Sequence, residues 1–152
     1  MTAEGDSDMN PFEIRPYLRR AQYYETDQMG IIHHSNYVRW LEEARMDFLE
    51  QIGLSYAALE QSGVISPIVE VTCRYKGMVR FGDSVLIAVR VEKCGGFKLV
   101  LSYEITNAAT GELCTRAETT SCFMNRDGTF LSLREAFPDV YEALKACAAR
   151  KE

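Results

Sequence analysis

The spacing of apolar residues along the chain changes at about residue 63. Before that point they recur at steps of three and four residues, the spacing of one face of an α-helix. These positions are Tyr37, Trp40, Leu41, Ala44, Phe48, Leu49 and Ile52. Ser35 or Asn36 is the predicted N-cap of this long helix, and Gly53 is expected to end it. Ser55 can cap a shorter helix that ends near Gly63.

Beyond that point apolar and polar residues alternate, which is the pattern of half-buried β-strands. Four consecutive strands are predicted. The apolar positions of the first three strands are Val69, Val71, Cys73 and Tyr75; Val85, Ile87, Val89 and Val91; and Phe97, Leu99, Leu101, Tyr103 and Ile105. The fourth strand is predicted over residues 113–125. The Gly95 and Gly96 pair and the segment 107–111 predict tight turns between strands.

Two further elements complete the predicted order. Residues 15–24 alternate loosely and are expected to hold a first strand, and Pro138 suits the first turn of a C-terminal helix. The order is then strand, long helix, four antiparallel strands and short helix, which indicates an α+β fold with a five-stranded antiparallel sheet. Residues 1–10 are expected to form a flexible tail, and residues 11–152 a single domain.

Composition excludes several classes of function. A net charge of −5 and a pI near 5.2 argue against a nucleic-acid partner. No apolar run approaches the roughly 18 residues of a membrane span, and the acidic N-terminus does not read as a secretory signal. The five cysteines form no CxxC pair and their number is odd, which favours reduced thiols and a cytoplasmic location. No metal site is predicted.

Residues 23–45 hold the candidate chemistry. Asp27 precedes Gly30, and both histidines of the chain, His33 and His34, follow where the long helix is predicted to begin. The free N–H groups of a first helical turn, together with the helix dipole, can hold a developing oxyanion. A carboxylate facing them can attack an acyl carbon or activate a water. This arrangement is typical of acyl chemistry.

The same segment resembles the 4-hydroxybenzoyl-CoA thioesterase family of the hotdog fold, and its relatives associated with the bacterial Tol-Pal system. The matching positions are Tyr24, Glu25, Thr26, Asp27, Gly30, Ile31, Ile32, His34, Asn36, Tyr37, Trp40, Ala44 and Arg45. Residues 69–87 are also similar to a strand and the turn after it in that family. The resemblance implies a sheet wrapped around one long central helix.

The resemblance also implies an acyl-CoA thioesterase without a cofactor. Asp27 falls at the catalytic aspartate, and the backbone N–H of His34 at the donor that polarises the thioester carbonyl. Tyr37 matches a position that lines the pocket, and Gly30 and His33 are expected to contact the substrate. The family implies a homodimer or homotetramer whose sites lie between protomers.

Several alternatives stay open at this point. Asp27 could be the nucleophile or the general base, and Glu43 is the substitute base if Asp27 is inert. The fold also permits a non-catalytic acyl-CoA-binding protein or a dehydratase or hydratase that uses His34. The acyl chain, and CoA as against acyl carrier protein, are undetermined. Candidates for holding the CoA phosphates are Arg74, Lys76, Arg80, Lys93 and Lys98.

Overall fold

The computed structural model describes residues 14–149, so the predicted tail at residues 1–10 lies outside the described residues. The strands are β1 (Tyr17–Arg20), β2 (Val64–Ile65), β3 (Ile68–Tyr75), β4 (Ser84–Cys94), β5 (Lys98–Asn107), β6 (Leu113–Cys122) and β7 (Met124–Asn125). The helices are α1 (Ser35–Gln51), α2 (Tyr56–Ser62), α3 (Leu133–Ala136) and α4 (Pro138–Ala149). One 3₁₀ turn covers Tyr23–Glu25.

Five strands form one antiparallel sheet in the order β1-β4-β5-β6-β3. This confirms the predicted α+β class and strand number. β2 and β7 form a separate two-stranded sheet that the sequence analysis did not predict. Two residues are too few for an alternating pattern to be detected, and the segment predicted as one last strand is divided between β6 and β7.

Helix α1 packs its apolar side against one face of the large sheet, where its largest side chains are completely enclosed. Trp40 and Phe48 are 0% and 1% exposed. They belong to a single core with inward-facing residues of β4 and β5, namely Val85, Ile87, Val89, Val91, Leu99, Leu101, Tyr103 and Ile105. Burial of one large apolar side chain is worth about 1.5–3 kcal/mol, so the predicted helical stripe contributes substantially to the stability of the fold.

Strand β3 forms one edge of the sheet and is less covered than the central strands. Val71 and Cys73 are half-buried, and Tyr75 is 48% exposed. Val69 was predicted to share their face, which is wrong: a register shift between Ile68 and Glu70 makes Val69 the extra residue of a bulge, and it is exposed. The inner face near the end of β3 is therefore open beside the start of α1.

The ends of α1 and α2 match the predictions from the sequence, except at the N-terminus of α1. The residue at the N-cap position of α1 is His34, not Ser35 or Asn36, and its side chain makes no capping bond. Gly53 follows the helix with a φ of 88°, a left-handed conformation that glycine tolerates. Ser55 Oγ accepts the N–H of Ala58 at 3.1 Å, which confirms the predicted cap of α2. None of the helices within residues 14–149 is long and apolar enough to cross a membrane.

Candidate active site

A buried carboxylate, Glu25, organises the segment before α1. It is 3% exposed. Its two oxygens accept hydrogen bonds from the guanidinium of Arg19 at 2.8 and 3.0 Å and from Trp40 Nε1 at 3.0 Å. The backbone N–H of Gln22 donates to the same carboxylate at 2.9 Å. One side chain thus joins β1, the 3₁₀ turn and the first half of α1.

The backbone of Glu25 fixes the other end of the loop. Its carbonyl oxygen accepts the N–H of His33 at 2.8 Å and the side-chain amide of Asn36 at 2.9 Å. These contacts of Glu25 were not predicted from the sequence. Because the loop is bonded at Glu25 and again at His33, residues 26–32 are held between two fixed points at the N-terminus of α1.

The pKa of Glu25 reflects these contacts. Burial alone would raise it, but the hydrogen bonds from Arg19, Gln22 and Trp40 outweigh burial and hold the pKa below its usual value. Arg19 also bonds Glu43 at 2.9 Å through Nε and lies 5.3 Å from the centre of the Trp40 ring. Glu25 is therefore a structural anion and does not form a carboxylate pair with Asp27.

Asp27 opens a tight hairpin. Its N–H donates to the carbonyl of Ile31 at 2.8 Å, and Gly30 turns the chain with a φ of 81°. Its Oδ1 accepts the N–H of Met29 at 2.8 Å and that of Ile31 at 3.4 Å. Among the described residues, Oδ2 has no hydrogen-bond partner, so one oxygen of a half-buried carboxylate is left for a ligand.

His33 caps the helix instead of a hydroxyl or amide side chain. Its Nδ1 accepts the backbone N–H of Ser35 at 3.1 Å and lies 2.9 Å from Ser35 Oγ. Because Nδ1 accepts this bond, the ring carries its hydrogen on Nε2. The ring also stacks on His34, with centroids 4.3 Å apart.

His34 presents an unpaired backbone donor. The N–H groups of Ser35 and Asn36 are bonded to the side chain and the carbonyl of His33. By contrast, the N–H of His34 finds no acceptor in residues 14–149. The carbonyl of His34 accepts the hydroxyl of Tyr75 at 3.3 Å, which ties the start of α1 to the end of β3.

Asp27 and His34 line the same cleft, which has a volume of about 360 Å³. Its other lining residues are Met29, Ile31, Ile32, Tyr37, Tyr75, Lys76, Gly77 and Met78. Tyr37 is 4% exposed, and burial raises its pKa to about 12, so its phenol stays protonated at neutral pH. The cleft therefore combines one carboxylate and one free amide with aromatic and thioether walls.

The structure brings together three of the five predicted site residues. Asp27, His34 and Tyr37 line the cleft, whereas Gly30 and His33 do not and contribute the turn and the helix cap. The contact of Gly30 and His33 with substrate stays a prediction. Tyr75 and Met78 were missed, because they come from a strand end and a loop whose distance to residue 27 is not visible in the sequence.

The described residues contain no group of three or more side chains suited to hold a metal ion. The five cysteines are all free thiols, and burial raises the pKa of Cys73, Cys94 and Cys114 above the ordinary value. A higher thiol pKa leaves less thiolate at neutral pH, so these cysteines are poor nucleophiles.

Comparison with known proteins identifies the family. The model of the thioesterase-like superfamily matches residues 22–146. The chain belongs to this superfamily. It is 36% identical over 123 residues to YneP of Bacillus subtilis, whose name describes it as a candidate acyl-CoA thioesterase; the match covers 80% of this chain and 88% of that one. The names of the family and of this relative indicate a thioester hydrolase, and this protein is one.

Two more relatives agree. The acyl-CoA thioester hydrolase YbgC of Escherichia coli is 30% identical over 89 residues, covering 59% of this chain and 66% of its own. The crystal structure of a DHNA-CoA thioesterase from Staphylococcus aureus is 37% identical, with a TM-score of 0.80 over 85% of this chain and 87% of that one. The hotdog fold expected from the sequence is confirmed.

Replacement of Glu25 tests whether this carboxylate holds the segment together. We expect Glu25→Gln to lower the free energy of unfolding at neutral pH by roughly 1–3 kcal/mol, less than for an isolated buried charge because Arg19 keeps Glu43. A depressed pKa stabilises the folded state above the unfolded-state pKa of about 4.3, and this contribution is lost as the pH falls through the folded-state pKa.

Urea unfolding should therefore show the full difference in free energy of unfolding between Glu25→Gln and the native chain above about pH 5. Below about pH 4 this difference should decrease steadily. Glu50→Gln, at an exposed position of α1, is the matched control and should have little effect at either pH. A difference that stays constant across this range would show that the charge of Glu25 is not what matters.

Proposed function

We propose that the protein hydrolyses acyl-CoA thioesters, with Asp27 as nucleophile or general base and the backbone N–H of His34 as the donor to the thioester carbonyl oxygen. One observation carries the proposal. A carboxylate oxygen without a partner and an amide without an acceptor line the same cleft of about 360 Å³. The names of YneP and YbgC support acyl-CoA as the substrate class.

The amide of His34 suits a developing negative charge. It lies at the N-terminus of a 17-residue helix, where the helix dipole adds positive potential. Its direction is fixed in advance, because His33 is bonded to Glu25 on one side and Tyr75 holds the carbonyl of His34 on the other. A single well-aimed donor of this kind lowers the activation free energy by roughly 2.7–4 kcal/mol.

Asp27 supplies the second requirement. As a nucleophile, it would bond to the acyl carbon, the C–S bond would break, and water would then hydrolyse the resulting anhydride. As a general base, it would take a proton from water while the water oxygen attacks the same carbon. In both routes CoA leaves as a thiolate, which needs no strong acid because a thiol pKa is about 8.5. The site accordingly needs a base and a donor, and no proton source.

The other candidates are occupied elsewhere. Glu43 accepts the hydroxyl of Tyr17 at 3.0 Å and the guanidinium of Arg19 at 2.9 Å, and it does not line the cleft. Tyr37 cannot act as a base near neutral pH because its pKa is raised. Five free thiols support the expected cytoplasmic location, since that compartment is reducing.

Replacement of Asp27 tests the proposed chemistry. We expect Asp27→Asn to lower kcat by at least ~100-fold for any acyl-CoA that the native chain hydrolyses, the low end of what acid–base catalysis contributes. Asparagine keeps an oxygen that can accept the N–H of Met29, so the hairpin and the melting temperature should persist. Thiol release from a panel of acyl-CoAs is the measurement.

Asp127→Asn provides a matched control. Asp127 also accepts backbone N–H bonds within its own turn, at 2.9 Å from Thr129, but it does not line the cleft. Its replacement should leave turnover unchanged. Near-native turnover in Asp27→Asn would exclude Asp27 as base and nucleophile, and a large loss in Glu43→Gln would then move that role to Glu43.

We further propose a homodimer or homotetramer with sites at the protomer interface. The open edge of β3 and the exposed side chains of Val69 and Tyr75 support an interface there, because unpaired edges and apolar patches invite association. Sedimentation equilibrium at micromolar concentration should give two or four times the 17.2 kDa chain mass. A single-chain mass with full activity would contradict a site shared between protomers.

A further inference from the structure

Asn36 is the second residue of α1, and its side chain reaches back to the loop before the helix. Its Nδ2 donates to the carbonyl oxygen of Glu25 at 2.9 Å and to that of His33 at 3.3 Å. A side-chain amide has two N–H donors, so one nitrogen can serve both carbonyls. The half-buried Asn36 thus joins the two ends of the segment formed by residues 26–32.

The carbonyl of His33 and the N–H of His34 belong to one peptide group. This group is planar and trans, so its C=O and N–H bonds point in opposite directions. The His33 oxygen also accepts the backbone N–H of Asn36 at 3.0 Å, so Asn36 holds this oxygen twice. By holding the oxygen, Asn36 fixes the direction of the N–H on the other side of the same peptide group.

Hydrogen bonds to a carbonyl also change the charge on the N–H of its peptide group. Each bond draws electron density toward the oxygen and leaves the N–H hydrogen more positive, which strengthens the bond that this hydrogen donates by roughly 10–30%. The N–H of His34 is therefore made a better donor by the bonds that Asn36 makes to His33.

The contact with Glu25 keeps the Asn36 amide in this position. The carbonyl oxygen of Glu25 also accepts the N–H of His33 at 2.8 Å, and the carboxylate of the same residue is buried and bonded. Of the two bonds from Nδ2, the one to Glu25 is the shorter. The Asn36 side chain therefore connects the fixed loop to the peptide group that carries the His34 N–H.

We infer that Asn36 is a positioning residue for hydrolysis, which aims the His34 N–H at the thioester oxygen and strengthens it as a donor. This inference rests on the proposed function. Asn36 is not among the residues that line the cleft, so it acts through the peptide group and not by contact with the substrate. Because charge on the thioester oxygen develops in the transition state, the effect should appear in kcat and not in KM.

Replacement of Asn36 by leucine tests this role at nearly constant side-chain size. Asn36→Leu removes both side-chain donors, and we expect kcat to fall about tenfold while KM changes less than about twofold. Removal of a complete oxyanion donor costs roughly 10²–10³ in kcat, and the loss here is smaller because the backbone bond to His33 remains. Asn125→Leu is the matched control. Asn125 is also half-buried, and its Nδ2 donates to Thr129 Oγ1 at 3.1 Å outside the cleft, so turnover should be unchanged.

Asn36→Asp separates positioning from stability. A carboxylate in the first turn of a helix is stabilised by the helix dipole, so this variant should melt at or above the temperature of Asn36→Leu. An ionised carboxylate cannot donate and repels the two carbonyl oxygens, so kcat should fall further than in Asn36→Leu. A residue needed only for folding would give the opposite result, with turnover following the melting temperature across the two variants.

The ¹⁵N resonance of His34 reports on the same peptide group without a substrate. It should move upfield in Asn36→Leu and stay in place in Asn125→Leu, because the nitrogen is less polarised when its carbonyl accepts fewer hydrogen bonds. Native kcat in both Asn36 variants, a loss confined to KM, or an unmoved His34 resonance would each overturn the inference. If the native chain hydrolyses no acyl-CoA, the proposed function fails, and the His34 resonance still decides whether Asn36 controls this amide.

Discussion

The site depends on one ion pair whose carboxylate, that of Glu25, is buried. Glu25 bonds Arg19 on β1 and Trp40 on α1 through its side chain, and His33 and Asn36 through its carbonyl oxygen. Such a carboxylate is costly to bury, and the cost is offset by the hydrogen bonds that Arg19, Gln22 and Trp40 donate to it. The result is a short loop whose two ends cannot move apart. Asp27 lies just after the first fixed point and the free amide of His34 just after the second.

Neighbouring residues in this segment have different roles: two hold it in place and two remain available to a ligand. Glu25 and His33 satisfy the polar groups that would otherwise compete for the site, by bonding the loop and the first helical amides. Asp27 and His34 are thereby left with unused hydrogen-bonding capacity, which is what a substrate requires. The incomplete cover of β3 provides the space, since Tyr75 at its end lines the cleft and is half exposed.

Much of this fold follows from periodicity, and much of the site does not. The helical stripe through Trp40 and Phe48 and the alternation in β4 and β5 predicted the core, because buried positions recur with the period of the helix or of the strand. The roles of Glu25 and His33 could not be found that way. Glu25 reaches partners 6 and 15 residues away, and side chains in a loop have no period. The bulge at Val69 was not detected, because a strand with one extra residue still contains the residue types of a regular strand.

The central claim is that an acyl carbon fits between the Asp27 carboxylate and the His34 amide. A crystal structure with a ketone analogue of an acyl-CoA, in which a methylene group replaces the sulfur, tests it most directly. The ketone oxygen should lie about 2.9 Å from the backbone nitrogen of His34, and a carboxylate oxygen of Asp27 should lie within about 3.5 Å of the ketone carbon. A ketone bound with its oxygen directed away from His34, or with Asp27 turned toward solvent, would contradict it.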